Sequence, residues 1–317
     1  MAAYLIRRVL LLIPVMFIVT VVVFVFMRLT PGDPVQVEFG LETTPELLDA
    51  KREELGLNRP IVVQYVDWVG RMARGDFGRS IRAREPVSDL IKERLPATLQ
   101  LAGLAFALGL LIAVPWGILA AIYRHSWFAS ATTVITYASI AVPGFFFSSM
   151  LVFLFTYKFR IFETPRYVPF VEDPITNLTN IILPVIALSH TTVAFYTRFI
   201  RSSVLDVLGQ DYIRTARAKG LPEFSVVFRH ALRNALIPSV TLIGLTVASL
   251  WGGAIVTERI FNWPGMGRLA FTALFNRDYP VTQAIVVLSV FSVMAGTLLV
   301  DIAYTFVDPR ISHVGRK

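Results

Sequence analysis

Six stretches of this chain are too long and too apolar to be helices of a water-soluble core. They span residues 4–29, 97–122, 128–157, 181–200, 236–256 and 281–307. Each runs about 20 residues or more, enough for an α-helix to cross a hydrocarbon layer roughly 30 Å thick. Lipid offers no hydrogen-bond partners, so a spanning segment must satisfy its backbone internally, and a helix does this alone. Several stretches contain residues that would break a helix in water: Gly103, Gly109, Pro115 and Gly117 in the second, Pro143-Gly144 in the third, Pro184 in the fourth, and Gly244, Gly252 and Gly253 in the fifth. Neighbouring membrane helices supply partners for the freed groups, so these positions are tolerated there. The expected fold class is all-α: a polytopic membrane protein with six transmembrane helices.

The first stretch carries Arg7 and Arg8 at its start, as a secretory signal peptide would. Its apolar part, about 20 residues, exceeds the roughly 7–15 of a signal core. It ends at Thr30-Pro31-Gly32-Asp33-Pro34, a rigid turn without a small-x-small cleavage pattern. It therefore reads as a membrane helix with its N-terminus in the cytoplasm. Lys and Arg of short loops are retained on the cytoplasmic side, and this assigns the rest. Arg124 lies between the second and third stretches. Arg198, Arg201, Arg214, Arg217, Lys219, Arg229 and Arg233 surround the loop between the fourth and fifth, and Arg310, Arg316 and Lys317 follow the sixth. Both termini are expected in the cytoplasm. The expected division is a first transmembrane helix at 1–30, an extracytoplasmic segment at 31–96, a five-helix core at 97–307 with a cytoplasmic loop at about 201–237, and a cytoplasmic tail at 308–317. Within the external segment, residues 46–57 and 61–72 read as amphipathic helices, residues 75–80 as a turn, and residues 86–95 as a short helix start.

The loop Asp211–Pro238 is the most basic run of its length. Ile213 and Ala216 keep one helical side small and apolar, with Arg214 and Arg217 turned elsewhere. Gly220 stands where a helix end favours a residue without Cβ, and Pro222 where a new helix begins. Residues 223–236 return to helical spacing. Local physics leaves two readings of this helix-break-helix: a loop that only fixes orientation, or a docking surface.

Other chemistry is thinly represented. The net charge of +8 is dispersed between apolar runs without interleaved aromatics, which is a topology pattern and not a nucleic-acid surface. There is no cysteine, which excludes disulfides, Cys-ligated zinc, iron–sulfur clusters and thiol catalysis. No pair among His125, His190, His230 and His313 has metal-ligand spacing. The phosphate-binding pattern Gly-x-x-x-x-Gly-Lys-Ser/Thr is absent. His190 sits inside the fourth stretch beside Ser189, Thr191 and Thr192, as a pathway-lining residue or one bonded to a neighbouring helix. Ser139, Ser148 and Ser149 are candidates to line a pathway or to pack helices closely. Asp301, near the cytoplasmic end of the last stretch, reads as an acid paired with an Arg at the same depth or as a structural feature of the chain's ending. Trp263 reads as an interfacial anchor of a compact turn.

In their order along the chain, several motifs resemble permease subunits of ATP-binding-cassette importers of the peptide and nickel branch. They are TPGDP after the first stretch, GDFGRS and RLPATLQL in the external segment, and ARAKGL with RHALRNALIP in the basic loop. FNWPGMGR with DYP, and the ending DIAYTFVDPRI, complete the series. The resemblance covers nearly the whole chain and implies a type I importer permease fold. It implies that Arg214, Thr215, Ala216, Arg217, Ala218, Lys219, Gly220 and Leu221 form a coupling helix seated in a groove of an ATPase subunit. The family's general motif opens Glu-Ala-Ala, whereas these positions read Arg214-Thr215-Ala216, so no contact is carried over for the missing Glu. The resemblance also implies a second homologous permease, two ATPase subunits holding ATP and Mg²⁺, and an extracytoplasmic binding protein. No cofactor or catalytic residue is then expected in this chain, which would sit in the cell membrane. Peptides are the leading cargo, followed by nickel chelates, glutathione or oligosaccharides. A pore or scaffold working without ATPases is the alternative from another class.

Overall fold

The computed structural model describes residues 2–29, 44–54, 56, 58–162, 166–249 and 255–307, and the TPGDP motif and the 308–317 tail lie outside them. The described residues form helices and no strand beyond a single bridge between Arg79 and Pro86. In chain order these are α1 (Ala2–Leu29), α2 (Pro45–Glu54), α3 (Ile61–Ala73), α4 (Val87–Ile122), α5 (Trp127–Ala141), α6 (Gly144–Val152) and α7 (Pro174–Leu208). After them come α8 (Asp211–Ala218), α9 (residues 223–235), α10 (Ile237–Ser249), α11 (Ile255–Ile260), α12 (Met266–Phe275) and α13 (Tyr279–Val307). Among the described residues, four helices are long and apolar enough to cross a membrane, and five if the bent pair α5–α6 counts as one span. An all-α multi-pass membrane fold is thus present.

The third apolar stretch is not one continuous helix. Helices α5 and α6 meet at 95°. Pro143 has no N–H and pushes Val142 into extended backbone (φ −77°, ψ 119°), so α5 ends there and α6 restarts at Gly144. The continuation Phe153–Lys158 is π-helical. By contrast, α4 runs 36 residues straight through Pro96 and Pro115, joining the expected short helix to the second span. Helix α7 is also longer than the expected 181–200. Asp173 caps it, accepting from the Ile175 and Thr176 N–H groups at 3.1 Å each, with Pro174 at the first position.

The chain divides into two compact units, one formed by Leu99–Trp263 and the other by Met1–Thr98 with Pro264–Lys317. In the Leu99–Trp263 unit, small residues let α4 and α7 approach closely. A methyl built on Gly117 would stand 2.7 Å from the Thr197 carbonyl oxygen, and one on Gly109 2.6 Å from Thr192 Cγ2. The buried core around this seam includes Phe106, Ala113, Tyr196, Ile200 and Val204, and it extends to Ile213 and Val226 of the basic loop. The Tyr196 hydroxyl donates to the Leu242 carbonyl at 3.0 Å, tying α7 to α10. Trp263 packs into the turn and not onto its surface: it is 1 % exposed, with Tyr167 edge-on against its ring at 4.7 Å.

In the other unit, α1 presents Leu10, Leu11, Ile13, Phe17, Ile18 and Phe26 outward, an apolar face suited to lipid. Helix α3 packs against the opposite, inward side of α1 through aromatics: buried Phe24 lies 5.5 Å from Tyr65 and 5.7 Å from Trp68. Motifs distant in sequence meet here. Met266 N–H, from WPGMGR, donates to Thr98 Oγ1, from RLPATL, at 2.6 Å. Asp278, from DYP, receives the Ser80 hydroxyl of GDFGRS at 2.5 Å and the Ile81 and Arg82 N–H groups at 3.2 and 3.4 Å. Asp278 and Ser80 are each 4 % exposed, so the carboxylate accepts one buried and two part-buried donors in a largely dry site. Asp278→Ala is expected to destabilise the protein by roughly 3 kcal/mol, the cost of orphaning donors to a charged acceptor. Thermal unfolding of the detergent-solubilised protein measures it, and an unchanged midpoint would refute the cradle's importance.

Candidate functional site

The basic loop folds as a rigid elbow. Helix α8 starts after extended Gln210, with Asp211 in the first turn, where the helix dipole favours a carboxylate, and with Arg214 paired to it at 3.2 Å. Ile213 and Ala216 turn inward and are 0 % and 8 % exposed. Arg214, Thr215, Arg217, Ala218, Lys219, Gly220 and Leu221 all face outward, as does Tyr212. The helix then closes on itself: the Lys219, Gly220 and Leu221 N–H groups return to the Thr215, Arg217 and Ala216 carbonyls. Gly220 has φ +76°, which only a residue without Cβ adopts at little cost. A methyl built there meets nothing within 4 Å, so glycine is required by backbone conformation and not by crowding.

Two side-chain struts span the break. The Arg217 guanidinium grips Glu223 with both arms, Nε to Oε2 at 3.1 Å and Nη2 to Oε1 at 2.7 Å. That hydrogen bond holds the Glu223 carboxyl below its ordinary range and the Arg217 guanidinium above its own. Both groups are substantially exposed, so the pair orients the elbow more than it stabilises the fold. Asn234 Nδ2 donates to the Tyr212 hydroxyl at 3.0 Å, the second strut. Helix α9 buries Val226, Val227, Ala231, Leu232 and Ala235. Its middle six residues, Val226–Ala231, are π-helical where the sequence suggests a regular α-helix. Phe224 and Phe228 stack at 4.4 Å on the exposed side.

The pathway candidates scatter. Ser148 is buried and donates to the Gly144 carbonyl at 2.8 Å. His190 lies close to the same turn: its Nδ1 is 2.7 Å from the Ala187 carbonyl, and its ring lies on Phe147 at 4.3 Å. His190 Nε2 is buried without a partner. Ser149 and Thr191 are exposed, and Ser139 is half-buried. Asp301 falls in α13. Among the described residues, no group of three or more His, Asp or Glu side chains is placed to hold a metal ion.

Two family models match the chain. Residues 113–313 match the one described as binding-protein-dependent transport system inner membrane component. Residues 1–102 match the N-terminal membrane component of the same systems. The chain belongs to this family. It is the membrane permease of a transport system, a multi-pass protein of the cell membrane. The permease is 43 % identical to the oligopeptide transport system permease protein AppB of Bacillus subtilis, over 99 % of this chain and 100 % of that protein. A putative peptide transport system permease protein of Brucella abortus is 41 % identical over 99 % of this chain and its own full length. The glutathione transport system permease protein GsiC of Escherichia coli is 38 % identical with the same coverage.

The permease also holds an arrangement that sequence reasoning passed over. Arg198 and Arg201 count in the sequence only as cytoplasmic charge. In the fold both lie against α5. Arg201 Nη1 donates to Thr133 Oγ1 at 2.8 Å, and the Arg198 guanidinium carbon lies 5.3 Å from the Tyr137 ring centroid. A matching spacing was legible in the sequence, since Arg198 and Arg201 stand one turn apart, as do Thr133 and Tyr137.

Proposed function

We propose that this permease pairs with a second, homologous permease to form the translocation pathway of an ATP-driven peptide importer. In this reading it crosses the membrane six times with both termini in the cytoplasm. The bent pair α5–α6 is one span, and residues 236–256 make another. An extracytoplasmic binding protein delivers cargo, and two ATPase subunits bind ATP and Mg²⁺, so this chain performs no hydrolysis of its own.

The observation that supports coupling is the exposed, strutted elbow at Gly220. Helix α8 has one face anchored in the permease core through Ile213 and Ala216. Its outward residues, Arg214, Thr215, Arg217, Ala218 and Lys219 with Gly220 and Leu221, offer a small, basic surface to an acidic groove on the ATPase. The Ala216 methyl is then a foot planted in the permease. Because that foot stands in the same core as Tyr196 and Ile200 of α7, movement of α8 is transmitted to a membrane helix. The relatives named for oligopeptides and peptides favour peptide cargo, and the relative named for glutathione, itself a small peptide, makes glutathione the second reading.

Co-purification of this chain from its native membrane, with bound proteins identified by mass, tests the reading. Recovery of a second permease and ATPase subunits is expected. Recovery of the chain as a homo-oligomer without ATPases would favour a pore or scaffold instead.

A further inference from the structure

We propose that Arg198 and Arg201 form a carboxylate-binding step on the permease's translocation surface, receiving the C-terminal carboxylate of a peptide in transit. The inference rests on the peptide-import reading above.

Four observations carry it. First, neither guanidinium has a carboxylate at ion-pair distance among the described residues. Arg201 is bonded only through Nη1 to Thr133, its Nε is buried without an acceptor, and Arg198 touches only the Tyr137 ring. Second, both are pre-positioned by one helix. Thr133 and Tyr137 of α5 present a hydroxyl and a ring face one turn apart, matching the turn between Arg198 and Arg201 on α7, so the two cations are held side by side on one seam. Third, the exposed stripe of α7 that contains Arg198 is polar for a membrane helix. Thr191, Phe195, Arg198 and Ser202 follow at helical spacing and all are exposed. Arg198 and Arg201 stand at the cytoplasmic end of the fourth apolar stretch, where an exposed guanidinium is less costly facing water or protein than facing lipid, and Val134 and Ile135 on α5 provide an exposed apolar surface nearby. Fourth, the chemistry fits the cargo. Every linear peptide ends in a carboxylate whatever its side chains, and a planar guanidinium fork matches a carboxylate with two parallel hydrogen bonds. A site built this way selects for the peptide class without reading sequence.

The nearest acid on the same stripe, Asp206, lies two turns beyond Arg198 toward the end of α7, roughly 12 Å along the axis. It is exposed, and no ion pair joins it to either arginine. A carboxylate leaving the arginine pair toward the cytoplasm would next meet this negative charge, which opposes lingering.

The test uses the whole importer, with its binding protein, in proteoliposomes loaded with ATP. Uptake of radiolabelled tetra-alanine and of its C-terminal amide is measured together with binding-protein-stimulated ATP hydrolysis. Arg198→Gln and Arg201→Gln are expected to lower tetra-alanine uptake per ATP hydrolysed about tenfold, the scale of one lost charge-assisted hydrogen bond. Uptake of the amide and stimulated ATP hydrolysis are expected at wild-type levels, and Arg198→Lys and Arg201→Lys recover part of the loss. Equal losses for acid and amide, or uptake and ATP hydrolysis falling together, would assign the pair a structural role and overturn the proposal. A defect confined to vesicles containing phosphatidylglycerol, absent in phosphatidylcholine alone, would make the ligand a lipid phosphate and overturn it too. If the wild-type importer takes up neither peptide, the peptide reading itself fails, and the variants are not needed to show it.

Discussion

Gly220→Trp is expected to leave the permease inserted and assembled while uptake falls about thirtyfold or more and ATP hydrolysis continues without transport. Two effects combine. A residue with a side chain at φ +76° carries roughly 1–2 kcal/mol of backbone strain. That strain is relieved by reopening the turn, which breaks the hydrogen bonds from Lys219, Gly220 and Leu221 that end α8. The indole also leaves the backbone into open space, since no atom of the described residues lies within 4 Å of a Cβ built there. On the coupling proposal, the ring is therefore expected to be accommodated by the permease and excluded by the docking groove of the ATPase. Loss of a well-packed contact of this kind costs about 2 kcal/mol or more of binding. Gly220→Asn separates the two causes, because Asn enters the left-handed region more readily than other side-chain-bearing residues. It is expected to retain most of the uptake. Uptake and hydrolysis measured together in proteoliposomes decide the matter, and coupled, wild-type uptake by Gly220→Trp would refute the coupling role of the elbow.

Gly117→Leu is expected to act on the other link, the helix seam beneath the elbow. Even a methyl at 117 would sit 2.7 Å from a backbone oxygen of Thr197 and 3.1 Å from Ile200, and neither can yield without moving α7. Forcing side chains into a packed seam costs about 1–3 kcal/mol for small insertions, and a leucine exceeds that range. Little folded protein is expected after detergent extraction. Gly103→Ala, on the same helix with nothing within 4 Å of the new methyl, is expected to be neutral or slightly stabilising. Size-exclusion profiles and unfolding midpoints of the two variants measure the contrast, and equal behaviour would mean the α4–α7 approach is dispensable.

Much of this architecture was legible from residue types. The apolar stretches found the long helices, because length and hydropathy are set by the bilayer rather than by packing. Gly220 and Pro222 located the break, because positive φ and a fixed φ are properties of single residues. Ile213 and Ala216 emerged as the inward face from spacing alone. The bend at Pro143-Gly144 was not legible in the same way. Pro96, Pro115 and Pro184 all sit inside continuous helices, so a proline in a membrane helix does not by itself distinguish a pass-through from a break. The π-helical turn at Val226–Ala231 has the composition of an ordinary helix. The Asp278 cradle joins residues nearly 200 positions apart in sequence, a distance no local pattern encodes. The motifs it joins were visible, but their meeting was not. Likewise, Arg198 and Arg201 resembled any cytoplasmic charge until α5 was seen to hold them.

The most direct test of the central claim uses the absence of cysteine from the chain. Lys219→Cys, exposed at the end of α8, and Thr179→Cys, exposed near the start of α7, are each labelled with a photoactivatable maleimide in native membranes. After illumination, adducts are identified by mass. Coupling through the elbow predicts an ATPase adduct from position 219, with a yield that changes when ATP is added, and none from position 179. No ATPase adduct at 219 in correctly inserted protein, or equal adducts at both positions, would contradict it.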